Sequence, residues 1–146
     1  VGVNLIAAVT QDAAPRRGDA LSPARRCHDV WVPMNHVALT VSDRERSAAF
    51  YGRHFGLDLH VHDDDHLLIL GSTDGSLLAL SEGAVPPLPR TNHFGFQLDR
   101  AEAVVTAREA FRAAGLTETE WQDDGGMVRV QVADPDGYRV ELFAFR

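Results

Sequence analysis

From residue 35 to its end, the chain writes one succession of hydrophobic periods twice. Asn35-His36-Val37-Ala38-Leu39-Thr40-Val41 alternates strictly, so Val37, Leu39 and Val41 share one face of a strand. Asn92-His93-Phe94-Gly95-Phe96-Gln97-Leu98 alternates in the same way and sends Phe94, Phe96 and Leu98 inward. A helix start follows each strand. Ser42 with Glu45 has capping-box spacing ahead of Ala48-Ala49-Phe50-Tyr51, and Asp99 with Glu102 repeats it ahead of a helix predicted over 103–114. Gly56 and Gly115 stand where left-handed residues close helices.

Three short strands are predicted after each helix: 57–62, 66–70 and 76–80, then 118–122, 127–133 and 138–145. Asp-rich stretches, Asp74-Gly75, Asp123-Asp124-Gly125-Gly126 and Asp134-Pro135-Asp136-Gly137 supply the turns. Pro86, Pro87 and Pro89 make the stretch between the halves stiff and non-helical. The fold class is therefore α+β, with two tandem βαβββ modules at 34–82 and 92–146 joined by a linker at 83–91. In each module the helix covers one face of a curved mixed sheet, and the other face is left to form a cleft. The opposite parity fills that cleft with His36, Ala38 and Thr40 from one half, and His93, Gly95 and Gln97 from the other. On the last strand Arg139, Glu141, Phe143 and Phe145 fall together.

Residues 1–33 keep no such period, and are expected to form a disordered or loosely attached arm. A start of the natural product at Met34 is the competing reading. Four arginines against three aspartates leave that stretch at +1 and the remainder at −8, within a net charge of −7. An acidic chain gains nothing from polyphosphate, so neither nucleic acid nor an anionic membrane is an expected partner. With one cysteine, Cys27, the chain has neither an internal disulfide nor a cysteine-based zinc site. The apolar start is too short for a membrane span and lacks a positive flank, so the expected compartment is the cytoplasm. Seven histidines are a mild excess, and histidine is the commonest metal ligand.

Two βαβββ modules, each opening on a histidine, resemble the vicinal-oxygen-chelate superfamily, which includes glyoxalase I, extradiol dioxygenases, fosfomycin-resistance transferases and bleomycin-binding proteins. The resemblance covers residues 34–146. It rests on Asn35-His36-Val37-Ala38-Leu39-Thr40-Val41-Ser42-Asp43, on Ala49-Phe50-Tyr51, and on Asp134-Pro135-Asp136-Gly137-Tyr138-Arg139-Val140-Glu141-Leu142. It implies one divalent metal held by His36, His93 and Glu141. The position matching Glu141 in the first module is Ala79, which has no donor atom. Two imidazoles and a carboxylate form a facial triad with open positions, favouring Fe(II), with Mn(II), Zn(II), Ni(II) or Co(II) as other occupants. The resemblance also implies a homodimer, which leaves open whether one site joins His36 of one chain to His93 and Glu141 of another.

Departures from individual members narrow the chemistry. Extradiol enzymes carry a tyrosine where this chain has Gln131, and fosfomycin-resistance enzymes a threonine where it has Ala38. Glyoxalase I has a ligand where it has Ala79. The leading expectation is dioxygenase-like chemistry on a small bidentate oxygen substrate. A glyoxalase-like lyase or isomerase, a thiol transferase and a non-catalytic drug-binding protein are the alternatives. Substrate contacts are expected from Thr40, Gln97, Arg129, Gln131, Arg139 and Phe143, with Arg129 or Arg139 fixing an anionic group. His60, His62 and His66 beside Asp63-Asp64-Asp65 form a solvated hairpin in preference to a second metal site. His54 is expected to be partly charged at a helix end.

Overall fold

Period-two alternation makes β1 (His36–Val41) an edge strand with Leu39 and Val41 buried and His36 and Ala38 exposed. Then come α1 (Arg44–Phe55), β2 (Leu59–Asp63), β3 (Leu68–Gly71) and β4 (Leu77–Glu82). The second half repeats the order with β5 (His93–Gln97), α2 (Ala101–Ala113), β6 (Glu118–Asp123), β7 (Met127–Ala133) and β8 (Arg139–Phe145). The computed structural model describes residues 34–146. The expected arm at 1–33, with Cys27 and His28, lies outside the described residues.

Each half closes a four-stranded mixed sheet, ordered β1-β4-β3-β2 and β5-β8-β7-β6. The first and last strands of each module pair in parallel, and the other pairs are antiparallel. The two βαβββ modules inferred from the sequence are therefore present. Their registers also match row by row. Gly95, Glu141, Gln131 and Glu120 stand side by side across the second sheet, as Ala38, Ala79, Ile69 and His62 do across the first. A bulge skips Val61 in β2 and Thr119 in β6.

Several boundaries differ from the sequence reading. Asp43 caps α1 by accepting from the Arg46 amide at 2.8 Å, while Ser42 turns to Asp136 across the molecule. The Asp99–Glu102 box does not form either, because α2 starts after Arg100 without a side-chain cap. Leu57, expected to open β2, is buried, and its amide donates to the Tyr51 carbonyl, so it belongs to the helix exit. His66 and Leu67 give their amides to Asp64 Oδ1, which delays β3 to Leu68.

The apolar faces form two cores. Leu39, Val41, Tyr51, Leu70, Leu78 and Leu80 fill one, and Val104, Phe111, Val128, Val130 and Val132 fill the other. Phe50, Phe55 and Phe96 touch both. Phe55 packs on Phe96 at 5.7 Å and on Phe111 at 5.5 Å, so α1 serves the second module as well as its own.

The turn at Asp134–Gly137 clasps the halves together. Buried Asp134 accepts from the Asp136 and Tyr138 amides through Oδ1 and from the Tyr51 hydroxyl through Oδ2 at 2.8 Å. Asp136 accepts from the Ser42 amide, the Ser42 hydroxyl and Arg46. The Tyr138 hydroxyl donates to the Thr40 carbonyl at 2.9 Å.

Candidate metal centre

Glu141 projects from the middle of β8 onto the face away from α2 and is only 7% exposed. It sits so deep because β5 runs close beside it. A Cβ on Gly95 would lie 2.8 Å from the Glu141 Cβ and 3.0 Å from its carbonyl oxygen. Glycine is thus required sterically at that position, although its φ is not positive.

His93, at the start of β5, turns towards the same carboxylate. Its Nδ1 lies 3.0 Å from the Thr91 carbonyl, an acceptor only, so Nδ1 is the protonated nitrogen. In the neutral ring Nε2 then carries a lone pair, and it faces Glu141 Oε2 at 3.8 Å. Gln131 and Arg129 already donate to that oxygen, so a cation beside Nε2 would be met by the other carboxylate oxygen, Oε1, and the carbonyl tether is the usual support of a ligating imidazole. The donor set therefore fits a divalent ion at these two residues. His36 has its Nδ1 3.4 Å from Asn35 Oδ1. His36 and His93 line one hollow of about 180 Å³ with Asn35, Ser76, Leu77 and Gly95. Among the described residues, however, no three His, Cys, Asp or Glu side chains gather closely enough to hold an ion. Within one chain His93 approaches Glu141, and His36 shares the hollow with His93 without completing a three-residue donor group.

The remaining expected contacts divide. Buried Gln131 donates through Nε2 to Glu141 Oε2 at 2.8 Å, so that N–H does not face a substrate. Arg129 donates to Glu141 Oε2 at 3.2 Å, to Gln122 at 2.9 Å and to Glu120. Arg139 sits opposite His93, and Phe143 opposite both Gln97 and Arg129, on the face of Glu141. Gln97 borders a separate hollow of about 340 Å³ with His54, Phe55, Leu98 and Leu142. Thr40 lies opposite Ser81. Sequence reasoning passed over Glu120 and Gln122, although period-two spacing along β6 places both on this face.

A family model described as the Glyoxalase/Bleomycin resistance protein/Dioxygenase superfamily matches residues 34–142. The chain belongs to that superfamily. A "Probable trivalent organoarsenical cleaving enzyme" of Bacillus subtilis (strain 168) is 30% identical over 112 residues, covering 74% of this chain and 77% of that protein. Two solved structures share the superfamily fold. The fosfomycin resistance protein FosX of Listeria monocytogenes has a TM-score of 0.69 at 21% identity, covering 80% of this chain and 96% of its own. Lactoylglutathione lyase of Agrobacterium tumefaciens has a TM-score of 0.63 at 24% identity, covering 77% and 92%. FosX has also been crystallised with Mn(II), so divalent metal binding occurs within this superfamily fold.

Two other histidine groups stand clear of this centre. β2 is exposed throughout, and His62 Nε2 contacts Asp64 Oδ2 at 2.9 Å in a solvated hairpin. Amide donation from His66, then the His62 side chain and the Leu67 amide, hold the Asp64 carboxyl down at about 2. His54 corrects its expectation. Its ring lies 5.2 Å from Phe50 and 6.2 Å from Phe111, and burial, reinforced by Arg53, lowers its pKa and disfavours the charge.

Proposed function

We propose that this superfamily member is a mononuclear metal-dependent enzyme, with one divalent ion held by His36, His93 and Glu141 and Fe(II) as the leading occupant. The observation that carries the reading is the tethered His93 ring, whose Nε2 faces the buried carboxylate of Glu141 at 3.8 Å. When bound, the metal supplies Lewis-acid or redox chemistry to a bidentate oxygen substrate at its open positions. The chain's own residues then have limited tasks. Thr91 fixes the His93 tautomer, Gln131 and Arg129 hold Glu141, and Arg139, Phe143 and Thr40 are the substrate-facing candidates, while Gln97 borders the separate hollow beside His54. Arg139 has no acidic partner among the described residues and is the better anchor for an anionic group.

We assign His36 to the same site through a second copy of the chain, in a homodimer that joins one protomer's His36 to its partner's His93 and Glu141. The lack of a three-residue donor group among the described residues of one chain supports this pairing.

Dioxygenase-like chemistry is the leading reaction, with lyase, isomerase or thiol-transfer chemistry next. The name of the Bacillus subtilis relative supports bond cleavage. An arsenical substrate is kept as an alternative, because trivalent arsenic is thiophilic and the chain's one cysteine, Cys27, falls outside the residues the family model matches. Metal analysis of protein purified without chelator tests the class. Absence of stoichiometric Fe, Mn, Zn, Ni or Co, with unchanged melting on adding them, would sink it and leave the drug-binding alternative. Oxygen uptake with catechols, set against thiol-addition, isomerase and organoarsenical-cleavage assays, then separates the reactions.

A further inference from the structure

Arg129 was expected to meet substrate, but each nitrogen of its guanidinium already has an acceptor within the protein. Its Nε donates to Gln122 Oε1 at 2.9 Å, its Nη1 to Glu141 Oε2 at 3.2 Å and its Nη2 to Glu120 Oε1. The side chain is 20% exposed, against 9% for Glu141. The register explains the arrangement. Gln122 is directly opposite Arg129 on β6, while Glu120 and Glu141 are its diagonal neighbours on the two flanking strands. Gln131 delivers a further N–H to the same Glu141 oxygen, and it is fully buried.

We propose that Arg129 is the positioning residue of the metal centre, a rigid fork that anchors on Glu120 and Gln122 and fixes the Glu141 carboxylate for the ion. This rests on Glu141 being a ligand. Three acceptors on three separate side chains are met by the three nitrogens of one guanidinium fork, a geometry an ammonium does not reproduce. Gln131 secures the same oxygen, Oε2, from two residues along β7, which leaves Oε1 for the ion.

Charge alone gives the opposite expectation, which makes the role testable. Arg129 is a cation beside a cation site, so removing it should tighten metal binding if its field were all that counted. Positioning requires the reverse. The experiment titrates Co(II) into the full chain and into Arg129→Lys, Arg129→Met and Glu120→Gln, following visible absorption, with circular dichroism as the check on folding. Arg129→Met is expected to bind Co(II) about tenfold to a hundredfold more weakly, with altered bands. Arg129→Lys is expected to weaken it in the same direction although its charge is kept, and it carries the test if Arg129→Met does not fold. Glu120→Gln is expected to weaken binding less than either. Affinity and spectrum equal to wild type, or tighter binding, in both arginine variants would overturn the proposal. Failure of the wild type to bind Co(II) would overturn the metal reading itself, a separate outcome of the same titration.

Discussion

Gly95 and Glu141 share the closest approach between β5 and β8, and the smaller residue sets the place of the larger. Gly95→Ala adds a methyl where 2.8 Å is available, so either the strands part or the carboxylate moves. The expected loss is about 1–3 kcal/mol, measured as a lower denaturant midpoint, together with weaker metal uptake. The candidate site was legible at this scale as far as parity carries. Period two sent His36, His93 and Glu141 to the sheet face away from the helices. It did not disclose that Arg129 and Gln131 would spend their donors on Glu141, because that depends on cross-strand register. His54 failed for a similar reason: its helix position was visible, but the rings of Phe50 and Phe111 come from tertiary packing.

The elements are joined by polar clasps at positions that a local reading assigns to other work. Ser42 looked like a helix cap, and the structure gives it to Asp136, leaving the cap to Asp43. Asp136→Ala removes the acceptor of two Ser42 bonds and of Arg46. It is expected to destabilise the fold by about 1.5–3 kcal/mol, the range for bonds to a charged group, seen as a lower urea midpoint with unchanged slope. A second clasp fastens α2 to β6. Glu118 receives both guanidinium arms of Arg108 and those of Arg112, and these bonds, Arg108 first, hold its carboxyl near about 2 against an ordinary 4.5. With the folded value depressed, the stabilisation is complete above pH 4.5 and is lost as pH falls towards 2. Glu118→Gln is expected to flatten the stability profile across that acid window; an unchanged slope in urea melts from pH 5 to 2 would refute it. Element types were readable from the sequence because helix and strand periods differ. Their ends were not, because Asp43, Asp64 and Leu57 settle those through individual hydrogen bonds and burial.

For the whole molecule, the consequential expectation is that two copies complete one site. His36→Ala and Glu141→Ala each lack one proposed ligand. Mixed and refolded together, they form some dimers that pair an intact His36 with an intact Glu141. Metal content is then expected to recover in the mixture towards one quarter of the wild-type value, the random-pairing limit, and to stay absent in each variant alone. A site contained in one chain would show no recovery. The two-module plan itself was plain in the sequence, since the repeat appears in the positions of histidines, helix starts and glycines. How the modules share a core was not, since Phe50, Phe55 and Phe96 belong to both packing clusters at once. The matched registers carry one further consequence. Ala79 faces Ala38 as Glu141 faces Gly95, so the halves hold the same address with different contents. A duplicated gene that keeps its addresses can change its chemistry by single letters. On the proposed ligand set, a carboxylate written at residue 79 would occupy the place in the first sheet that Glu141 holds in the second.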